Sequence, residues 1–519
     1  MPNRTRATSP WLVLAVLCAA VVLINLSTTI MNTALPTLVR DLDASTRELL
    51  WIVDAFNLAF AALVLAAGSL SDRFGRRRAL VLGLAIFAVA SAAGAWSGSP
   101  GALVAWRAVM GVGAAIIFPT TLSIIANVFP ERRRRATAIG LWGASTGVAV
   151  ALGPIAGGAL LERFWWGAAQ LATAPVAVAT LVLALLLVPE SRDPAAPRLD
   201  RPGLMLSALA LGAFVFGIIE APERGWLSTA TLAVLGLAAL LVGLFVAWER
   251  RVDQPMLDVR LFANPRFSAA SASVTLAFFA LFGFIFLITL YFQFLRGYSP
   301  LETGIRLLPV ALSVAVANLV GVRLGVRLGA KVIVAAGLLL LAGAYLWIAG
   351  VDAATPYGEI AGQMVLLGAG MGLTGAPATE AIMGAVPAAK AGVGSAVNDA
   401  TREVGGTLGV AVIGSVFLSL YRDAFAGLAA PAEALARARE SVGAAFEAAE
   451  RLAASGQGAA AARLAARAEA GFFDGLAAGC LVAAGVSVAG AIAALLFLPA
   501  QPRRAAPDVP AAPERAAAA

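Results

Sequence analysis

Charged residues inside long apolar runs are the features of this sequence that could do chemistry. Asp54, Arg107, Glu220, Glu380 and Asp399 each lie in such a run. A charge within a membrane helix costs about 2.5–3.5 kcal/mol, so each of them needs a function or a partner. Burial favours the neutral, protonated form of a carboxyl group, which can exchange its proton for another ligand. The acids are therefore candidates for proton exchange, while Arg107 and Asp54 either pair or face a cavity separately.

The residue types that are missing narrow the chemistry further. The sequence contains no histidine, and its two cysteines, Cys18 and Cys480, lie in separate apolar runs. This excludes imidazole catalysis and gives no sign of a disulfide framework or a metal site. The sequence has neither the residue cluster of a membrane enzyme nor the Gly-Lys-Ser/Thr loop of an ATP-driven pump. We therefore expect a protein that is not an enzyme and that needs no cofactor.

The composition is that of a polytopic membrane protein. Of the 519 residues, 60% are hydrophobic and only 13% are charged, and the mean hydropathy is +0.86. At about 20 residues per crossing, the apolar runs predict about fourteen spans. Short basic loops fall at alternate turns and, with the termini, mark the cytoplasmic side. The net charge of +8 is thus explained by topology and anionic lipids, and we expect no nucleic-acid partner.

One charged hairpin lies between two apolar runs, residues 49–67 and 79–96. Its glycines suit a tight turn, its arginines favour the cytoplasmic side, and its acid and base can pair with a neighbouring helix. The residues concerned are Gly68, Asp72, Arg73, Gly75, Arg76 and Arg77.

The fifth apolar run is rich in small residues, which let helices approach closely, and its proline bends the span. They are Gly147, Gly153, Pro154, Gly157 and Gly158. Packing of small residues alone would also explain this pattern.

The hairpin at 68–78 resembles the signature loop between helices 2 and 3 of the major facilitator superfamily. In that family the loop is a cytoplasmic gate whose Asp and Arg hold the outward-open state. The fifth run resembles the antiporter motif of the same superfamily, and Arg107 with Gly111 and Gly113 resembles its span-4 motif, whose arginine is linked to proton transfer.

The first run, ending in Leu26–Pro36, resembles that of the fourteen-helix drug:proton antiporters. Several further stretches, such as Phe164–Gly167 and Ala391–Asn398, resemble the quaternary-ammonium and multidrug exporter branch. That branch commonly has an aspartate in span 1 where this chain has Ser27. Ser27, Thr28 and Asn32 still form a polar patch, Asp54 is a candidate to replace the missing acid, and a neutral or anionic substrate is the alternative.

The resemblance implies an all-α polytopic membrane protein with the major facilitator fold. We expect an N-terminal six-helix bundle at 1–190, two extra central transmembrane helices within 191–260, and a C-terminal six-helix bundle at 261–500. The hydrophilic stretch 421–473 is either a solvated, weakly ordered loop or an extracellular helical hairpin over the outer mouth, with one helix from Pro431 to about Leu452 and another after Gly456. Residues 501–519 are expected to form a disordered cytoplasmic tail.

The resemblance also implies a function. We expect a monomeric plasma (inner) membrane transporter, with both termini cytoplasmic, that exports hydrophobic or amphipathic, often cationic, drugs or toxic compounds in exchange for protons. The alternatives are an exporter dedicated to one endogenous antibiotic, lipid or metabolite, and a ligand sensor that has lost transport. Aromatic residues crowd span 9, among them Phe278 and Phe282; most should face lipid or other helices, and a few are candidates to line the cavity.

Overall fold

The structure, a computed structural model, describes residues 9–42, 44, 46–192, 200–253, 255–387 and 390–499. This part of the chain is helical throughout and contains no strand. The first part of the chain forms α1 Pro10–Leu42, α2 Thr46–Phe74, α3 Arg76–Ala95, α4 Pro100–Val128, α5 Arg132–Leu161, α6 Trp166–Leu171 and α7 Thr173–Leu187. Then follow α8 Arg201–Arg224 and α9 Thr229–Glu249. The remainder forms α10 Pro265–Leu290, α11 Pro300–Arg306, α12 Leu308–Leu328, α13 Ala330–Ile348, α14 Tyr357–Met383, α15 Ala391–Asp423, α16 Ala432–Glu440, α17 Val442–Ala454 and α18 Gly458–Phe497.

Twelve spans in the described part of the chain are long and apolar enough to cross a membrane. α6 and α7 together make one of them, because the chain bends only slightly at Ala172. α5 and α14 are not among the twelve, although they have 30 and 27 residues and pack among the others. With these two helices, the described part of the chain contains the fourteen spans that the sequence predicts.

The spans are arranged as two bundles with separate hydrophobic cores. The first bundle is built from α1–α7, and its core contains Leu17, Leu84 and Met110. The second is built from α10–α15 and α18, and its core contains Leu338 and Met364. The bundles meet along two seams, where α2 packs against α15 and α5 packs against α12. α8 lies against both α2 and α15, and α9 packs against α8.

Two glycine turns at equivalent places show the internal repeat. Gly75 joins α2 to α3 with φ 112° and ψ 126°, and Gly329 joins α12 to α13 with φ 92° and ψ 143°. Only glycine adopts this backbone conformation without strain, so it ends one helix and turns directly into the next. Counting back three residues from each glycine gives Asp72 in the first turn and Val326 in the second. The second turn therefore lacks the acid, as the sequence indicates.

The stretch predicted as a loop at 421–473 is ordered in a different way from either sequence interpretation. The predicted helix from Pro431 to Leu452 is two helices, because Ser441 is extended (φ −160°, ψ 162°) and its side chain caps α17 by accepting a hydrogen bond from the Ala444 N–H. The predicted separate helix after Gly456 is wrong: it is the first part of α18, a continuous helix of 40 residues. Its alanine-rich sequence has high helix propensity, so nothing interrupts it before the last span.

Candidate functional site

A carboxylate of the first bundle caps a helix of the second. Asp72, at the end of α2, accepts hydrogen bonds at Oδ2 from the backbone N–H groups of Gly392 (2.8 Å) and Val393 (3.3 Å), at the start of α15. The positive end of the α15 dipole adds to the attraction for the carboxylate. Asp72 is 6% exposed, so these bonds are sheltered from water. They fasten the two bundles together at the end that carries the arginine-rich turns, which we call the basic end.

The other carboxylate oxygen of Asp72 is held within its own bundle. Its Oδ1 forms an ion pair with Arg76 (2.6 Å) and accepts a hydrogen bond from the Ser123 hydroxyl (3.2 Å). Arg76 is itself fully buried, so this pair has little competition from solvent. The sequence predicts that Asp72 and Arg73 pair with a neighbouring helix. Asp72 does so through α15 and also pairs with Arg76 of the same hairpin, whereas the guanidinium of Arg73 lies 5.6 Å from the Phe74 ring.

The capping of α15 requires close approach of two backbones. A Cβ atom on Gly68 would lie 2.5 Å from the Gly392 carbonyl oxygen and 2.5 Å from Ala396 Cβ. A Cβ atom on Gly392 would lie 2.5 Å from the Gly68 carbonyl oxygen. Both glycines are thus needed for α2 and α15 to cross at this distance, a role that the sequence indicated for Gly68 and missed for Gly392.

Glu190 is a functional candidate that the sequence interpretation missed. It follows span 6 and accepts a hydrogen bond from the Arg77 N–H (3.1 Å), and its Oε2 lies 3.9 Å from Arg77 Nε and 3.7 Å from Arg78 Nε. The carboxylate also lies against Gly75, where a Cβ atom would be 2.8 Å from Oε1. An acid directly after a span that ends on the basic side was the available signal. Glu190 anchors the hairpin to the first bundle.

Glu380 makes a second connection between the bundles at the basic end. Its carboxylate pairs with Arg132 of α5 (3.2 Å) and with Arg266 of α10 (3.5 Å). Arg132 belongs to the first bundle and Arg266 to the second, so the ion pair with Arg132 crosses between them. The sequence proposed Glu380 as an acid for proton exchange, but this geometry places it in an ion-paired connection. Arg132 and Arg266 could not be singled out because each lies in an ordinary basic loop.

The glycines of the fifth span form the second seam. Gly147 faces the backbone of Ala311 on α12, and Gly158 faces Leu301 on α11, where added Cβ atoms would lie 3.2 Å and 3.0 Å from the nearest atoms. Gly153 packs instead against Thr29 of α1, within its own bundle. Gly157 is buried in α5, and Pro154 lies in the same helix with its side chain outside the part that the structure describes. The small residues therefore serve close packing on both sides of α5.

Arg107 is fully buried in the first bundle. Its Nε donates to the Ile52 carbonyl (2.9 Å), its Nη1 donates to the Ser27 hydroxyl (3.4 Å), and its guanidinium lies 4.7 Å from the Phe56 ring. Ser27 is thus joined to Arg107, which could not be seen from the sequence. Thr28 donates to the Ile24 carbonyl of its own helix (3.2 Å), and the side chain of Asn32 lies outside the described part of the chain.

Two acids from different bundles interact across the seam between α2 and α15. Asp54 lies on α2 and Glu403 on α15, and the charge of Asp54 acts on Glu403. Glu220 of α8 is different, because it is paired with Arg224 one turn later (2.6 Å). Asp54 and Glu403 therefore form an acidic pair across the α2–α15 seam, and Glu403 is a partner that the sequence did not assign to Asp54.

Asp399 and Arg402 lie on the same helix and are surrounded by side chains from both bundles. Arg402 Nη2 donates to Thr379 (3.1 Å), and its guanidinium lies 4.6 Å from the Trp142 ring of α5 and 4.9 Å from the Phe278 ring of α10. Asp399 is 1% exposed and accepts a hydrogen bond from the Asn398 amide (3.1 Å). We call Trp142, Phe278, Asp399 and Arg402 the central site. Trp142 was missed by the sequence interpretation, whereas Phe278 was among the aromatic residues proposed for a cavity.

The described side chains contain no cluster of three or more His, Cys, Asp or Glu residues that could hold a metal ion. The arrangement instead provides two cross-bundle connections at one end and, further along the helices between the bundles, buried or half-buried ionisable groups. Such an arrangement can bind a ligand at the centre and exclude it from the basic end. The geometry fits a gated carrier better than a site for covalent chemistry.

Comparisons with known proteins agree with this geometry. The sequence profile of the Major Facilitator Superfamily matches residues 17–410. The chain is 38% identical over 494 residues to the multidrug efflux pump LfrA of Mycolicibacterium smegmatis, covering 94% of this chain and 97% of that protein. It is 33% identical over 506 residues to the tetracenomycin C resistance and export protein of Streptomyces glaucescens, covering 96% and 94%.

A solved structure shows the same fold. The human organic anion transporter MFSD10 (TETRAN) superposes with a TM-score of 0.64 at 16% identity, covering 94% of this chain and 99% of that one. The predicted resemblance and the all-α fold are therefore confirmed. The chain belongs to the Major Facilitator Superfamily.

Proposed function

We propose that this protein exports hydrophobic or amphipathic compounds, drugs and toxic compounds among them, across the plasma membrane in exchange for protons. The observation that carries the proposal is the capping of α15 by Asp72, a contact between bundles that must break before the central site can open to the basic end. The relatives support it, since LfrA is named as a multidrug efflux pump and the Streptomyces relative as a resistance and export protein.

The basic end is assigned to the cytoplasm because short arginine-rich loops resist translocation. In that orientation both termini are cytoplasmic and the structure is closed toward the cytoplasm. Alternating access then requires the connections of Asp72 and of Arg132 with Glu380 to open when a compound is loaded. We propose a monomer as the working unit, with membrane lipids around it.

Proton exchange is assigned to the acids of the seam and the central site. Like charges close together in a low-dielectric environment repel, so a proton bound by Asp54 or Glu403 relieves the repulsion between them. Glu380 and Glu220 already have arginine partners. Asp54, Glu403 and Asp399 are therefore the stronger candidates.

The test is compound-driven proton movement in everted membrane vesicles. A panel of fluorescent aromatic compounds, with cationic, neutral and anionic members, is added to vesicles acidified inside by respiration. Proton release in response to any of them by the wild type, lost in Asp54→Asn or Glu403→Gln, supports an antiporter. Glu433→Gln is the matched control, since Glu433 lies in α16 and is exposed.

Two alternatives give other outcomes. An exporter dedicated to one compound would release protons in response to none of the fluorescent compounds. It would respond to a single compound found when extracts of the native cell are added to the panel. A ligand sensor would bind compounds with no flux in any variant. Absence of proton movement in correctly inserted wild-type protein would contradict the proposed antiport.

A further inference from the structure

The central site contains one acceptor and one donor that the protein itself leaves without partners. Asp399 Oδ2 and Arg402 Nε are buried and have no hydrogen-bond partner among the described residues. Asp399 and Arg402 are three positions apart on α15, which places them on the same face of the helix. No ion pair shorter than 4.0 Å joins them among the described contacts, although the charge of Arg402 acts on Asp399. A buried polar atom without a partner is costly, so both atoms favour a ligand that bonds them.

Most other polar atoms around this pair are already engaged; the exception is the buried Ser395 hydroxyl, one turn before Asp399, which has no hydrogen-bond partner among the described residues. Arg402 Nη2 donates to Thr379 Oγ1, Thr379 donates to Asn398 Oδ1 (2.9 Å), and Asn398 donates to Asp399 Oδ1. This chain of hydrogen bonds fixes the two side chains and leaves the Asp399 Oδ2 and Arg402 Nε edges, with the Ser395 hydroxyl beside them, for another molecule. A ligand therefore has to supply a donor for the carboxylate and an acceptor for the guanidinium.

The surroundings add a requirement for aromatic surface. The rings of Trp142 and Phe278 lie against the guanidinium, and Phe282 lies 6.0 Å from Phe278. Trp142 is fixed by its indole N–H, which donates to Thr121 (2.9 Å), and by Phe118 at 5.6 Å. Flat aromatic rings stack well on such surfaces. A permanent cation, in contrast, would lie beside the charge of Arg402.

We propose that the central site selects uncharged aromatic compounds that carry a hydroxyl group and a carbonyl group, the hydroxyl donating to Asp399 Oδ2 and the carbonyl accepting from Arg402 Nε. The inference rests on the proposed export function and narrows its substrate class. It also links compound and proton. A protonated Asp399 donates and can no longer accept from the hydroxyl, so compound and proton compete for the same carboxylate.

Several charged groups on the helices packed against α15 have partners of their own. Those of α18 lie in its first part, beside the Phe417–Tyr421 end of α15 and away from Asp399: Arg463, Arg467, Glu469 and Asp474. Asp72 of α2 is paired with Arg76, Glu380 of α14 with Arg132 and Arg266, and Glu220 of α8 with Arg224. Arg107 of α4 donates to Ile52 and Ser27, and Asp54 of α2 acts on Glu403. Arg402 is the charged group that acts on Asp399.

The test compares 2-hydroxyanthraquinone with 2-methoxyanthraquinone, which differ in the hydroxyl donor alone. Binding to the purified full-length protein is measured by quenching of tryptophan fluorescence, at a pH at which the hydroxyl keeps its proton. We expect the wild type to bind the hydroxyl compound about tenfold or more tightly than the methoxy compound, as for a hydrogen bond to a charged group. Binding of the hydroxyl compound should weaken as the pH falls and should release protons into a weakly buffered solution.

Variants assign the effect to the two residues. Asp399→Asn should reduce the hydroxyl preference to about twofold or less and abolish proton release, because the amide is a neutral and weaker acceptor. Arg402→Gln should weaken both compounds by a similar factor, since both keep their carbonyl groups. Arg422→Gln, at the other end of α15, is the control and should match the wild type. Equal binding of the two compounds by the wild type overturns the inference without any variant, as does an unchanged preference in Asp399→Asn.

The result is separable from that of the export proposal. Export of a cationic panel compound with no hydroxyl preference would refute the substrate class and leave the antiporter in place. A hydroxyl preference that depends on Asp399, in a protein that moves no protons in vesicles, would support this site and refute export.

Discussion

At the level of single residues, Asp72 has two structural roles: it pairs with Arg76 within its own bundle and caps a helix of the other bundle. The sequence indicated only one role for it, in the hairpin between the spans. Its Oδ1 belongs to the first bundle through Arg76 and Ser123, and its Oδ2 belongs to the second through α15. Closure at the basic end therefore depends on a carboxylate that binds the N-terminus of α15, a helix of the other bundle. A carboxylate in that position is stabilised by charge as well as by hydrogen bonds.

We predict that Asp72→Asn destabilises the closed basic end by about 1–3 kcal/mol, because the amide keeps one acceptor and loses the charge. The measurement is the rate at which maleimide, added from the basic side, modifies Ser395→Cys in a background of Cys18→Ser and Cys480→Ala. Ser395 is fully buried on α15, so faster modification reports opening. Glu131→Gln is the control, because the Glu131–Arg134 pair lies at the same end with both side chains more than half exposed. Equal rates in wild type and Asp72→Asn would show that the cap does not hold the end closed.

The sequence predicts single residues well when their partners are near in the chain. Asp72 and Arg76 are only four positions apart, on either side of the turn at Gly75, so each lies within reach of the other. The Gly392 and Val393 N–H groups lie more than 300 positions away and cannot be found in that manner. Glu380 shows the same limit, since its long-range arginine partners turn a candidate for proton exchange into a structural connection.

At the level of helices, the crossing of α2 and α15 depends on two glycines that face one another. An added Cβ atom on Gly68 meets backbone and a Cβ atom, neither of which can move without shifting a helix. The crossing and the Asp72 cap are therefore one unit, because a wider helix separation would also break the cap.

We predict that Gly68→Val separates α2 from α15 and exposes the start of α15 to solvent. The measurement is hydrogen–deuterium exchange of the amides of residues 391–396. These should exchange at least about tenfold faster, which corresponds to a loss of about 1.4 kcal/mol in the free energy that holds the helix crossing closed. Gly236→Val is the matched control, since Gly236 lies in α9 with no atom within 4 Å of an added Cβ. Unchanged protection in Gly68→Val would mean that the crossing tolerates a side chain.

We also predict that Ser441→Ala destabilises α17 by about 1 kcal/mol, the usual cost of losing an N-cap. Amides of residues 442–454 should exchange faster, while those of α18 change little. Ser455→Ala, at the other end of α17, is the control and should have a smaller effect, because Ser455 donates to a carbonyl and caps no N–H. Slower exchange of residues 442–454 in Ser441→Ala would contradict the prediction. It would indicate that α16 and α17 have joined into one continuous helix from 432 to 454 once Ser441 is replaced.

The number of membrane-spanning helices was predictable from the sequence, whereas the break between α16 and α17 at Ser441 was not predicted. Runs of apolar residues fix the spans because each must satisfy its backbone within the membrane. Outside the membrane, the alanine-rich stretch from 432 to 454 contains three residues of lower helix propensity, Ser441, Val442 and Gly443, and Ser441 caps α17 through a single hydrogen bond. Propensity alone cannot decide such a case.

At the level of the whole molecule, two closures lie at one end of two bundles that share few other polar contacts among the described residues. Asp72 with α15 closes one seam, and Arg132 with Glu380 and Arg266 closes the other. Both must open for the central site to reach the basic end, and each depends on a buried carboxylate that must find water or new partners when the bundles separate. In the antiport that we propose, protons bound by the acids between the bundles bias that opening.

The most direct test of this account is the distance between the bundles at the basic end as a function of pH. Spin labels at Arg133→Cys and Leu328→Cys, both exposed positions, report one bundle each. Pulsed electron–electron double resonance should resolve a short and a long distance whose proportions change with pH, and Asp54→Asn with Glu403→Gln should abolish the change. A single distance, unaffected by pH in the wild type, would contradict proton-coupled alternating access.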